Sequence, residues 1–155
     1  MDTAFVDLRS DTVTRPTPAM RRAMCEAEVG DDVYREDPTV NRLQERAAEV
    51  FAREAALFVA SGTMGNEIAL KVHTRPGQEV ICEARAHIYN FEMGAVAAIA
   101  GLVPRTIWAE NGILKWEMIV PYVRRRSDTR TRTGLVELEN TSNQSLPHGH
   151  SLHPR

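Results

Sequence analysis

The sequence predicts an α/β fold, a mostly parallel sheet with helices on both faces. Two observations carry that expectation. Short apolar runs at Ala55–Ala60, Glu79–Cys82, Leu102–Trp108 and Gly134–Glu139 alternate with segments whose apolar residues recur at helical spacing. One run also passes directly into V-A-S-G-T-M-G-N, Val59–Asn66, a glycine-bearing junction suited to a strand-to-helix turn. With 155 residues and 43% apolar content, the chain is long enough for one domain with a core.

The elements follow in order. Thr17-Pro18 is an N-cap followed by a first-turn proline. Met20, Ala23, Met24 and Ala27 then keep helical spacing until Gly30. Asp37-Pro38 repeats the start signal, and Val40, Leu43, Ala47, Val50 and Phe51 give a second amphipathic helix. Ala55–Ala60 reads as a buried parallel strand. Met64, Ile68, Ala69 and Val72 mark a third helix, broken by R-P-G at Arg75–Gly77. Glu79–Cys82 is the next strand, Phe91–Ala100 a helix, and Leu102–Trp108 a strand. Asn111-Gly112 is a turn, Trp116–Val123 a short helix cut by Pro121, and Gly134–Glu139 a fourth strand.

The totals exclude several function classes. A formal net charge of -2 supplies no basic surface for nucleic acid or an anionic membrane. No segment reaches the ~20 apolar residues that span a bilayer. The N-terminus, M-D-T-A-F-V-D-L-R-S-D, is acidic and has no signal-peptide core. Cys25 and Cys82 lack metal or redox spacing and read as free thiols in a reducing cytoplasm. From Gln144 the periodicity stops. Residues 1–143 are therefore expected to form one domain with an N-terminal arm, and residues 144–155 an unrelated or disordered tail. His148, His150 and His153 of that tail have no acidic or cysteine partner in sequence, so no metal site is expected.

Four clusters carry chemistry. At Ser61-Gly62-Thr63, a helix starting beyond a strand's carboxyl end offers unpaired N–H groups and two hydroxyls to a phosphate. The plainer alternative is a simple turn with Thr63 capping the helix. E-A-R-A-H-I-Y-N-F-E, Glu83–Glu92, follows the next strand. His87 there is placed to stack on a planar ligand or to move a proton, with Glu92 to orient it. The alternative is a histidine that only ties down its loop. V-D-L-R-S-D-T-V-T-R-P, Val6–Pro16, offers Arg9, Ser10 and Thr12 to a carboxylate if it is ordered. G-D-D-V-Y-R-E-D-P-T, Gly30–Thr39, sets Tyr34 among acidic residues, or is simply a solvated loop.

Taken together, V-D-L-R-S-D-T-V-T-R-P, G-D-D-V-Y-x-x-D-P-T-V-N-x-L, S-G-T-M-G-N, A-H-I-Y-N-F-E and L-E-N-T-x-N resemble the L-threonine aldolase family in order and spacing. The resemblance covers residues 6 to about 143. It implies the N-terminal portion of the large domain of a fold-type-I pyridoxal-phosphate enzyme, the aspartate-aminotransferase type. It implies that Ser61, Gly62 and Thr63 hold the phosphate of pyridoxal 5'-phosphate, and that His87 stacks on its ring and transfers protons, with Glu92 as its partner. Ser10 would hold the substrate carboxylate, and Tyr34 would reach a neighbouring subunit's site in a dimer or tetramer. The implied reaction is cleavage of L-threonine or L-allo-threonine to glycine and acetaldehyde. The family's Schiff-base lysine lies on a later segment, and neither Lys71 nor Lys115 matches it, so the chain is expected to be truncated and inactive alone. Ser142 stands where the family has histidine. The alternatives are a related β-eliminating lyase and a non-catalytic fragment that oligomerises or binds phosphate.

Overall fold

Proline and a capping side chain start both helices of residues 14–60. The computed structural model describes residues 10–125, 127, 129–140 and 142. It divides the chain into two units, Thr14–Ala60 and the remainder. In the first, Thr17 caps helix α1 (Pro18–Cys25) by accepting from the Met20 amide at 3.2 Å. Asp37 caps helix α2 (Pro38–Val50): its Oδ1 accepts from the amides of Thr39 and Val40, both at 2.9 Å. Its Oδ2 accepts from the Gly30 amide at 3.1 Å, closing the loop that precedes α2. The amide bonds from Val40 and then Gly30 hold the Asp37 carboxyl below its usual range. Gly30 is needed there, since a Cβ would stand 2.2 Å from the Glu36 carbonyl oxygen.

The expected strand at Ala55–Ala60 is not one. The segment is irregular, pairs with no strand among the described residues, and leaves Leu57 and Phe58 exposed. An apolar run supplies strand propensity, but only a neighbour's ladder makes it a strand.

In the second unit, helix α3 (Gly62–His73) leads into three parallel strands, β1 (Glu79–Glu83), β2 (Val103–Ile107) and β3 (Thr133–Val136). Their spatial order is β2–β1–β3, with a register irregularity between Glu79 and Val80 against β3. All five residues of the central strand are buried. On one face Val80 and Cys82 pack with Leu70 of α3 and with Ile88, Val96 and Leu102. On the other, Ile81 packs with Ile107 and Ile119. The alternation of side chains along β1 thus feeds two cores, as a sheet covered on both sides requires.

Between β1 and β2 the expected helix at Phe91–Ala100 is cut short. Helix α4 (His87–Asn90) precedes it, and helix α5 occupies only Ala95–Ala98. Met93 and Gly94 both take positive φ, which no helix permits. Helix α6 (Trp116–Ile119) then gives way to a 3₁₀ turn, Val120–Tyr122, at Pro121 as expected. β3 ends at Val136 instead of Glu139. The tail 144–155, with His148, His150 and His153, lies outside the described residues, as do Val6–Arg9, Thr141 and Asn143. No helix among the described residues is long and apolar enough to cross a membrane.

The first residue of the central strand is an acid. Glu79 is buried, with Arg105 Nε of β2 at 2.7 Å from Oε1 and Arg124 Nη1 at 3.7 Å from Oε2. The Arg105 contact is an ion contact directed off the hydrogen-bond axis. One buried carboxylate therefore meets a cation from β2 and another from the segment that leads to β3. Removing it strands both arginines, so Glu79→Ala should lower unfolding free energy by about 3 kcal/mol, read from urea melts as a lower midpoint at unchanged slope.

Candidate functional site

Helix α3 begins at a serine. Ser61 has extended backbone, and its Oγ accepts from the Met64 amide at 3.1 Å. The cap is thus Ser61, and the expectation of Thr63 as cap is corrected: an N-cap must keep non-helical backbone, and the helix already includes Gly62 and Thr63. The amides of Gly62 and Thr63 belong to the first turn and have no intrahelical acceptor. Ser61 and Gly62 are exposed, and a Cβ built on Gly62 meets nothing within 4 Å. The Ser61 hydroxyl, while accepting, still has a hydrogen to donate. This helix start fits an anionic group on donor chemistry and on room.

His87 stands where β1 has turned into α4. No side chain from Ala86 caps that helix. Instead Glu139, beyond the end of β3, accepts from the His87 amide through Oε2 at 2.9 Å. The ring is set by a second carboxylate: Nδ1 lies 2.8 Å from Oε1 of Glu92, which is fully buried. The same oxygen accepts from Asn66 Nδ2 of α3 at 2.7 Å. Glu92 thus links the helix that begins at Gly62 to the strand-end histidine. A carboxylate on Nδ1 selects the Nδ1–H tautomer, leaving Nε2 as the acceptor of a half-exposed ring. Phe91 flanks it, ring centroids 5.5 Å apart and tilted by 38°.

The other candidates have the following local settings. Among the described residues, Ser10 bonds only within its own turn, to Asp11 Oδ1 at 3.2 Å and with Thr12. Tyr34 lies in the 3₁₀ turn Asp32–Tyr34 of the first unit and is largely exposed. Lys71 Nζ donates to the Ile99 carbonyl at 2.9 Å, and Lys115 is exposed just before α6.

Four residues absent from the sequence-derived site belong to it: Asn66, Glu67, Glu137 and Glu139. Glu67 shares the buried face of α3 with Leu70, and a charged residue three positions before a core leucine was a readable signal. Glu137 and Glu139 alternate with apolar residues in G-L-V-E-L-E, the pattern of a strand with one wet face. In a sheet covered on both faces the same alternation puts carboxylates indoors. Burial, then the charges of Glu139 and Glu92, raise the Glu137 carboxyl from 4.5 to about 7. Burial, then Glu137 and Glu83, push the Cys82 thiol up to about 12, which leaves it unreactive.

A raised acid favours the folded state while it is protonated in both states, below pH 4.5, and loses that advantage as pH climbs through about 7. Glu137→Gln should therefore flatten the decline in stability between pH 5 and 8, gaining about 1–2 kcal/mol at pH 8 once solvent screening is allowed for. Urea melts at the two pH values measure it, and an unchanged slope would contradict the burial of that carboxyl.

A family model described as beta-eliminating lyase matches residues 7–147. The chain is 50% identical over 140 residues to the low-specificity L-threonine aldolase 1 of Arabidopsis thaliana, covering 88% of this chain and 39% of that protein. It is 46% identical over 140 residues to the low specificity L-threonine aldolase of Escherichia coli strain K12, covering 90% and 42%. The corresponding protein of Saccharomyces cerevisiae is 40% identical over 143 residues, covering 90% and 37%. The chain thus spans about two fifths of the length of these relatives.

Proposed function

We propose, for a chain that belongs to the beta-eliminating lyase family, the role of the N-terminal part of a pyridoxal-phosphate lyase of threonine-aldolase type. The reaction is cleavage of the Cα–Cβ bond of L-threonine or L-allo-threonine to glycine and acetaldehyde, in cytoplasmic amino-acid metabolism. The observation that carries the reading is the Asn66–Glu92–His87 linkage, which joins an open helix start to an oriented imidazole. The likeness to proteins named as low-specificity L-threonine aldolases supports it. The β-eliminating alternative is the family itself at a coarser level, and the relatives' names favour the aldolase within it.

In this reading the amides of Gly62 and Thr63, with the hydroxyls of Ser61 and Thr63, hold the cofactor phosphate. His87 offers its ring to the planar pyridine. When bound, pyridoxal phosphate supplies the electron sink for the carbanion left on Cα. His87 Nε2 accepts the β-hydroxyl proton, and Glu92 steadies the imidazolium that results. Ser10 meets the substrate carboxylate and Tyr34 serves a neighbouring subunit of a homodimer or homotetramer. Residues 1–143 belong to one cofactor-binding domain. Lys71 and Lys115 take no part in the chemistry; the first is spent on the Ile99 carbonyl.

Two experiments test this. Pyridoxal phosphate at millimolar concentration should raise the melting temperature of the chain, and Thr63→Val should weaken binding about tenfold by removing one hydrogen bond to a charged group. A melting temperature that ignores the ligand would sink the phosphate site. In a full-length protein carrying this segment, His87→Asn should lower kcat for acetaldehyde release from L-threonine about 10²-fold, and an unchanged kcat would remove His87 from proton transfer.

A further inference from the structure

Around Glu92 the structure leaves four buried carboxylate oxygens without a hydrogen-bond donor among the described residues: Oε2 of Glu92, both oxygens of Glu67 and Oε2 of Glu137. Glu92 spends Oε1 on Asn66 and His87, while its Oε2 is buried and meets no donor. Glu67, on the turn of α3 next to Asn66, is 5% exposed, and among the described residues neither of its oxygens has a donor. No ion pair reaches Glu67 among the described residues. Two ionised carboxylates in one dry place repel and are each costly to bury. A single proton between them removes one charge and supplies the missing donor.

We propose that Glu67 carries that proton, and that its carboxyl hydrogen is donated to Oε2 of Glu92, so that Oε1 is kept for Asn66 and for the Nδ1–H of His87. Glu67 is then a positioning residue: it touches neither substrate nor cofactor, and acts through the carboxylate that orients the histidine. Burial, followed by the charge of Glu92, raises the Glu67 carboxyl above its ordinary value, in the same sense. The titratable groups around this proton are His87 at the start of α4, Glu92 after it, and Glu137 and Glu139 beyond β3. Glu137, raised to about 7, carries about half a negative charge at neutral pH and competes for the same proton. The proposal depends on the functional reading only for what His87 goes on to meet; the proton on Glu67 is independent of any cofactor.

The test is a carboxyl-carbon NMR titration of the whole chain labelled at the glutamate side-chain carboxyls, without cofactor. Glu67 is assigned by the resonance lost in Glu67→Gln. It should keep the chemical shift of a neutral acid after the exposed glutamates have ionised. Titration together with those glutamates would overturn the proposal, and would mean that a water or cation fills the gap instead. The His87 ring gives a second readout. Glu67→Gln keeps a donor to Glu92 and should leave the His87 midpoint in place. Glu67→Met removes it, makes Glu92 a stronger base, and should raise the midpoint by about one pH unit. Equal midpoints in both variants would reduce Glu67 to a packing residue. Neither result bears on whether pyridoxal phosphate binds at Gly62, which the melting experiment decides separately.

Discussion

One carboxylate oxygen, Oε1 of Glu92, holds the strand-end region together. It accepts from Asn66 of α3 and from His87 of α4 at once. Glu92 is fully buried, so its charge must be answered inside the protein or not carried at all. Those two donors are its answer on one side. They also fix relative placement: the helix that starts at Gly62 and the histidine that follows β1 cannot drift apart without exposing an unpaired buried charge. That constraint holds the helix start and the imidazole in a fixed relation.

The sheet explains why charges gather there. β1 is buried along its whole length, with a core on each face. Polar groups therefore collect at its two ends. At the amino end Glu79 is met by Arg105 and Arg124, and that end is structural. At the carboxyl end Glu83 is paired with Arg85, whereas Glu67, Glu92 and Glu137 keep oxygens without donors. Arginines answer the charge at the amino end, although Glu79 Oε1 and Arg105 Nε make no hydrogen bond there, and the carboxyl end is where parallel α/β sheets bind ligands.

Much of this was legible in the sequence. The proline-plus-cap signals at Thr17 and Asp37 marked both helix starts because capping is local chemistry. Gly77 and the Asn111-Gly112 pair marked turns because positive φ is local too. The spacing of Ser61–Thr63, His87 and Glu92 was readable because β1 and α3 were both strongly patterned. What failed was non-local. Ala55–Ala60 has strand composition but no ladder, and Phe91–Ala100 has helical composition but two left-handed residues inside it. Glu139 reaches the His87 amide from 52 residues away, which no window of periodicity can see. Glu67 was visible only as an anomaly, an acid on a core face of α3.

The central claim is that Glu92 assembles a cofactor site from the start of α3 and the ring of His87. A crystal structure of the chain grown with pyridoxal phosphate tests it most directly. The account predicts phosphate oxygens on the amides of Gly62 and Thr63, the pyridine ring against His87, and the Nδ1–Glu92 bond intact. Pyridoxal phosphate bound elsewhere, or bound there with His87 turned away from Glu92, would contradict it.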